Sequence, residues 1–198
     1  MSPEPGERDP EGGAADFDLE PDEHPANLFL GHEFLAWLWY RVEQSFGRVD
    51  LPVLGTVEFW IDDRLVLRGR GEQPQTASFR GGAPSTSQEA RAALRAGKAP
   101  DEARVGLRLG EREYLFTLRG EGLDLKALKV PQTVKKGEVE AIVYDRMFLF
   151  EEATQALEAL YEQFLQARLH PSWPTAMRPR MVEWAARGER PAGEPELS

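Results

Sequence analysis

Apolar residues change their spacing twice along this chain, from a helical period to a two-residue alternation and back, and that order alone excludes most fold classes. Between Asn27 and Gly47, Leu35, Leu38, Trp39, Val42 and Phe46 fall within about 100° of arc at about 100° per residue, which predicts an amphipathic helix stopped by Gly47. Trp37 and Tyr40 point away from that stripe. After Pro52 the segment VEFWIDDRLVLRGRG carries two β-rich runs, Val57 to Ile61 and Arg64 to Arg68, and predicts a hairpin turning at Asp62-Asp63. Thr76 to Arg80 adds a third strand ahead of the breaker GGAPSTS. Ser87 caps a short helix, SQEARAALRAGK, with Ala90, Ala93 and Leu94 on its apolar face and Gly97 at its end. Two alternating runs, ARVGLRLG and REYLFTLRG, flank the turn Gly110-Glu111 as an antiparallel hairpin, and Leu123 to Val130 supplies a further strand.

From Glu138 the helical period returns. Val139, Ile142, Val143, Phe150, Ala153, Leu157, Leu160, Tyr161 and Phe164 share one face of a helix of about thirty residues that ends near Leu169. Pro171 opens a last helix carrying Trp173, Met181, Val182 and Trp184. The expected fold is α+β, an antiparallel sheet of about five or six strands packed against helices on one face, one of them the long C-terminal helix. Residues 1–25 and 189–198 are rich in Pro, Gly and acid and read as disordered tails around a single domain over 26–188.

Cysteine is absent from the 198 residues, which excludes disulfides and thiolate metal sites. The N-terminus has neither a basic nor an apolar signal region, and nowhere do about 18 apolar residues run together. A cytoplasmic protein with no membrane contact is expected. The net charge of −10 resides in the tails, −8 over 1–25 and −2 over 189–198. Residues 64–136 instead carry +7 and residues 137–169 carry −5.

No motif points to catalysis. His24 lies in a tail, His170 precedes a proline, and His32 has no serine or cysteine near it in sequence. Neither HxxxH nor DxDxDG occurs, nor does a phosphate-binding glycine loop. Glu58 and Asp62 share one side of a strand beside Asp63 and could hold Mg²⁺, but a solvated strand edge is the simpler reading. Neither cofactor, metal nor small-molecule substrate is expected, and no catalytic residue is assigned.

The basic middle holds most of the chemistry. Arg104 and Arg108 share one side of a strand, Arg112 begins and Arg119 ends its partner, and Arg64, Arg68, Arg70 and Arg80 extend the set. Lys126, Lys129, Lys135 and Lys136 follow. Converging on an open sheet face, these cations would attract phosphates by counterion release without reading bases. The alternative is that they solvate the sheet and pair with nearby acids. Arg146 falls inside the long helix's stripe, where a buried guanidinium needs a carboxylate or carbonyl partner, a structural ion pair being the simpler reading than a ligand contact. Trp37 and Tyr40 are candidate interface aromatics, with packing beneath a second helix as their alternative.

The segments FLGHEFLAWLWYRVE, EARAALRAGKAPDEARVGLRL, YLFTLRG, LKALKVP and DRMFLFEEATQALEALYEQFL occur in an order that resembles the later part of the RdgC family of recombination-associated proteins, over roughly Leu28 to Trp184. The resemblance implies a non-enzymatic, nucleoid-associated protein of DNA recombination that binds duplex DNA with little sequence preference and forms homodimers. It would make Arg64, Arg68, Arg80, Arg104, Arg108, Arg112, Arg119, Lys126 and Lys129 the backbone contacts. The family's long N-terminal half has no counterpart in this sequence, where an acidic stretch stands instead. An interaction adaptor without a nucleic-acid role is the alternative function.

Overall fold

The computed structural model describes residues 30–69, 75–131 and 139–186. The tails expected over 1–25 and 189–198, the first turn expected at Asn27, and Arg70, Lys135 and Lys136 lie outside the described residues. Element order is α1 (Gly31–Gln44), β1 (Arg48–Leu51), β2 (Gly55–Arg68), β3 (Thr76–Arg80), α2 (Gln88–Arg95), β4 (Ala99–Leu109), β5 (Arg112–Arg119), β6 (Leu125–Lys129), α3 (Val139–Leu169) and α4 (Arg178–Ala186). A π-helical turn, Trp173–Met177, leads into α4, so the last helix expected from the sequence is split in two.

All six strands form one antiparallel sheet in the order β1-β2-β4-β5-β6, with β3 beside β2. Alternation decides its faces. Val57, Phe59, Ile61, Leu65 and Leu67 of β2, Val105 and Leu107 of β4, and Tyr114, Phe116 and Leu118 of β5 are buried, on the side that the helices cover. The fold class expected from the period changes is thus the one observed.

The hairpin expected at Asp62-Asp63 does not form. The two runs are one strand, and the mismatch is taken up by a bulge: Ile61 faces Val105 and Leu65 faces Ala103, so the three residues between them stand opposite Arg104 alone. Tight two-residue hairpin turns want left-handed backbone and therefore glycine or asparagine, and neither aspartate adopts a positive φ. The β4–β5 hairpin does turn where expected, with Leu109 opposite Arg112 and Gly110 at φ 57°.

Helix α1 runs into the middle of the molecule. Phe34 to Trp39 are six consecutive buried residues, because the sheet lies beneath them while α3 and α4 cover the opposite side. Its entry depends on glycine: a Cβ at Gly31 would overlap the Gly120 carbonyl, and a Cβ at Gly120 would overlap the His32 ring. His32 Nδ1 donates to the Pro100 carbonyl at 3.0 Å, so this histidine fastens the helix start to β4. Ser87 accepts from the Ala90 N–H at 3.0 Å as the cap of α2.

Two carboxylates, part-buried Glu43 and buried Glu152, tie the helices down. Glu43 of α1 accepts from the Trp39 indole at 2.6 Å, the Trp184 indole at 2.9 Å and the Arg91 guanidinium. Glu152 of α3 accepts from Arg112 at 2.5 Å and from the Tyr114 hydroxyl, linking the long helix to β5.

Candidate interaction surfaces

The sheet face away from the helices presents Glu58, Trp60 and Asp62 of β2, Arg104, Gly106 and Arg108 of β4, and Glu113, Leu115, Thr117 and Arg119 of β5. Cross-strand register aligns Glu58, Arg108 and Glu113 in one row and Trp60, Gly106 and Leu115 in the next. The indole of Trp60 lies across Gly106, where any Cβ would strike its ring, and the Arg108 guanidinium stands 5.5 Å from the ring centre.

Four arginines of this face, Arg64, Arg104, Arg108 and Arg119, are each engaged by a carboxylate. Arg104 lies 3.0 Å from Asp62 and 3.6 Å from Asp63, and Arg108 lies 2.9 Å from Glu58 and 3.3 Å from Glu113. Glu102 holds Arg64 at 2.9 Å and Arg119 at 3.7 Å. At the sheet edge, Lys126 stands 3.8 Å from Asp124. The sheet does bring these cations together, but as an alternating lattice of charge and not as a positive field. A phosphate arriving there would have to displace a carboxylate from each contact, which offsets the counterion gain.

Arg112 sits elsewhere. It shares strand parity with Tyr114, Phe116 and Leu118, so it points to the helix side, pairs with Glu152 and lies 5.8 Å from the Phe148 ring centre. Among the described residues Arg68, Arg80 and Lys129 are exposed and make no ion pair. Glu58 and Asp62 do share one side of β2, but each is held by arginine, with Trp60 between them. Among the described residues no three His, Asp or Glu side chains gather in a metal-holding group.

The interface reading of Trp37 gives way to a core one. Trp37 is 2% exposed, with its ring centre 6.2 Å from that of Phe34 and 5.7 Å from that of Phe164. Tyr40 is half-buried and meets Trp184 edge-on at 5.6 Å. Both changes have one cause: α3 and α4 close over the side of α1 that the period analysis left facing outward.

The converse holds for α3. Its later two-thirds are seated through Leu149, Glu152, Ala153, Ala156, Leu160 and Phe164, but Val139, Val143 and Phe150, expected on the same buried stripe, are 77%, 48% and 45% exposed. Tyr144, Met147 and Phe148 are exposed as well, at 70%, 61% and 55%. Arg146, expected to need a buried partner, is also exposed. Helical geometry places Val139, Val143, Met147 and Phe150 within about 80° of arc, roughly 100° round from the line of Leu149, Ala153, Ala156 and Leu160. Together the six side chains offer an apolar surface on the order of 700 Å², above what a monomer ordinarily leaves in water.

The sequence carried a signal for this arm. From Ile142 to Phe150 the helix is apolar on nearly every side, and a helix apolar all round is one that is covered. Among the described residues no helix is long and apolar enough to cross a membrane. No protein-family model and no curated protein sequence matches the chain.

Proposed function

We propose that this chain is a non-enzymatic interaction protein that docks on a protein partner through the exposed apolar arm of α3, residues Val139 to Phe150. One observation carries the reading: six large apolar side chains, three of them aromatic, stand in water on a single helical segment whose base is latched to the sheet by Glu152. A fixed helix with a free apolar stripe suits helix-in-groove or helix-on-helix recognition, in which anchors at i, i+4 and i+7 enter the partner together. Homodimerisation is one form of this reading.

The test is a photo-crosslinking residue, benzoylphenylalanine, at Met147, with exposed Arg95 as the control position. In cells that make the protein, irradiation is expected to join position 147 to another polypeptide, and Val143→Glu with Phe150→Glu is expected to abolish the product. Absence of any adduct at 147 overturns the reading.

Sequence-independent contact with duplex DNA is the second reading. Its support is the family resemblance together with Arg68, Arg80 and Lys129, which have no carboxylate partner among the described residues. Arg104, Arg108 and Arg119 are committed to acids, so their joint replacement by Ala is expected to leave DNA retention in a gel-shift titration unchanged. A collapse of retention in that triple variant would restore the sheet face as the nucleic-acid surface. If Arg68, Arg80 and Lys129 are the contacts, replacing them lowers the slope of log affinity against log salt by about 3.

A further inference from the structure

One corner of the outer sheet face carries more positive charge than it balances. Glu102 holds Arg64 at 2.9 Å and Arg119 at 3.7 Å, Arg80 stands directly opposite Arg64 across the β2–β3 pair, and Arg68 lies four residues further along β2. Residues opposite one another in an antiparallel pair point to the same side, as do alternate residues of one strand, so the four arginines share the face. Among the described residues Glu102 is the one carboxylate that reaches any of them, while Arg68 and Arg80 are exposed and make no ion pair.

We infer that this arginine corner seats the chain's own acidic N-terminal stretch, Asp16 to Glu23. The inference goes beyond the docking of α3 and does not rest on it. Charge is complementary: Asp16, Asp18, Glu20, Asp22 and Glu23 put five carboxylates into eight residues with no Lys or Arg among them. Four guanidinium groups sharing one glutamate can take such a segment without surrendering a pair they already have.

The chain also arrives at this corner. It enters α1 through Gly31, where a Cβ would overlap the carbonyl of Gly120, and Gly120 follows Arg119 directly. β2 and β5 run the same way, each antiparallel to β4, so Arg68 and Arg119 close their strands at one end of the sheet. Reach is ample. Glu23 precedes Leu30 by seven residues and Asp16 by fourteen, about 24 Å and about 48 Å of extended chain. Arg119 and Arg80 stand three strand spacings apart, about 14 Å.

Tethering supplies the remainder of the driving force. Single surface ion pairs are weak, but a short tether holds the carboxylates at an effective concentration on the order of millimolar, and the contacts act together. Another polyanion reaches the corner only by displacing the segment.

The chain has no cysteine, so a nitroxide on Leu19→Cys marks this stretch alone. In the isotope-labelled full chain it is expected to broaden the amides of Thr76–Arg80 and of Arg68, and to spare those of α3 around Met147. The broadening should vanish in 1 M salt, where the Debye length is about 3 Å. It should vanish equally when the five acids are replaced as Asp16→Asn, Asp18→Asn, Glu20→Gln, Asp22→Asn and Glu23→Gln. Arg68→Glu with Arg80→Glu should remove it as well, with circular dichroism unchanged because both side chains are exposed.

No broadening at β3, or equal broadening over the whole surface, overturns the proposal. Broadening at β3 that persists at that salt or in Arg68→Glu with Arg80→Glu does the same. Mixing nitroxide-bearing chains without isotope with isotope-labelled chains without nitroxide should give no effect. Broadening in that mixture would place the segment on a second copy and overturn its seat on its own chain. Photo-crosslinking at position 147 is indifferent to all of these outcomes, so the two readings fail separately.

Discussion

Replacing Glu43 by alanine is expected to remove about 3–5 kcal/mol of folding stability, the loss typical of breaking a buried ion pair by deleting one member. Both oxygens of this carboxylate are in use: Oε1 accepts from Trp39 at 2.6 Å, while Oε2 accepts from Trp184 at 2.9 Å and from Arg91. Arg91 is 8% exposed, and its remaining polar neighbour is the Trp184 carbonyl at 3.5 Å. Without Glu43 its guanidinium would be left in the interior with little compensation. The indole N–H of Trp184 would lose its acceptor too, whereas Trp39 keeps the Ser85 carbonyl at 3.2 Å. Three helices meet at this carboxylate, so the cost falls on global stability and not on one local opening. Urea denaturation of wild type, Glu43→Ala and Glu43→Gln gives the comparison, with the amide in between because it retains an acceptor but no charge. Removing Arg91 as well, as Glu43→Leu with Arg91→Met, should cost less than Glu43→Ala alone. A Glu43→Ala variant within about 1 kcal/mol of wild type would show that the cluster does not hold the helices together.

Glu152→Ala is expected to cost about 3 kcal/mol and to loosen the root of the α3 arm. Glu152 is 8% exposed and takes bonds from Arg112 and from the hydroxyl of Tyr114, a side chain with no exposed surface. Deleting it strands a buried hydroxyl and separates the long helix from β5. Hydrogen exchange is the measurement that distinguishes this variant, because amides near residues 149–156 should lose protection beyond what the global destabilisation explains. Burial raises the Tyr114 hydroxyl well above its ordinary value of 10.0, and the bond and charge of Glu152 raise it further, against a smaller lowering by Arg112. The folded state therefore holds this proton more tightly than the unfolded chain does. That stabilisation is complete below pH 10.0 and is lost as the pH rises beyond it. Tyr114→Phe should flatten the alkaline fall in stability, leaving the part due to Tyr161, which burial also raises. An unchanged alkaline profile in Tyr114→Phe would contradict the assignment.

If the arm docks as proposed, its action depends on the carboxylate latch. A helix whose other face is pinned presents its stripe to a partner at little entropic cost, and Glu152 pins this one two residues beyond the last exposed anchor, Phe150. A loosened root would make the arm pay ordering entropy on docking, so Glu152→Ala should weaken association even though Glu152 lies outside the stripe.

How much of this was legible in the residues differs from element to element. Ser87 as a cap, Gly47 as a stop and Gly110 in the turn after Leu109 were readable, because each depends on backbone demands felt within a few residues. The continuous strand through Asp62-Asp63 was not. At its bulge those aspartates meet Arg104 of the neighbouring strand, and that strand begins more than thirty residues later. The arginines were correctly placed on strands, and parity put Arg104 and Arg108 on one face. Their neutralisation was beyond reach, since Glu58 meets Arg108 across a separation of fifty residues.

The order of periods in the apolar residues therefore determined by itself that this chain would be helix, sheet and helix, with α3 as one helix of 31 residues, because periodicity is a property of short stretches of backbone. Only the tertiary structure decided which sides of those elements meet water. It buried Trp37 beneath Phe164, engaged Arg64, Arg104, Arg108 and Arg119 with carboxylates, and left Val139, Val143, Met147 and Phe150 bare, because a face is covered only when another element arrives to cover it.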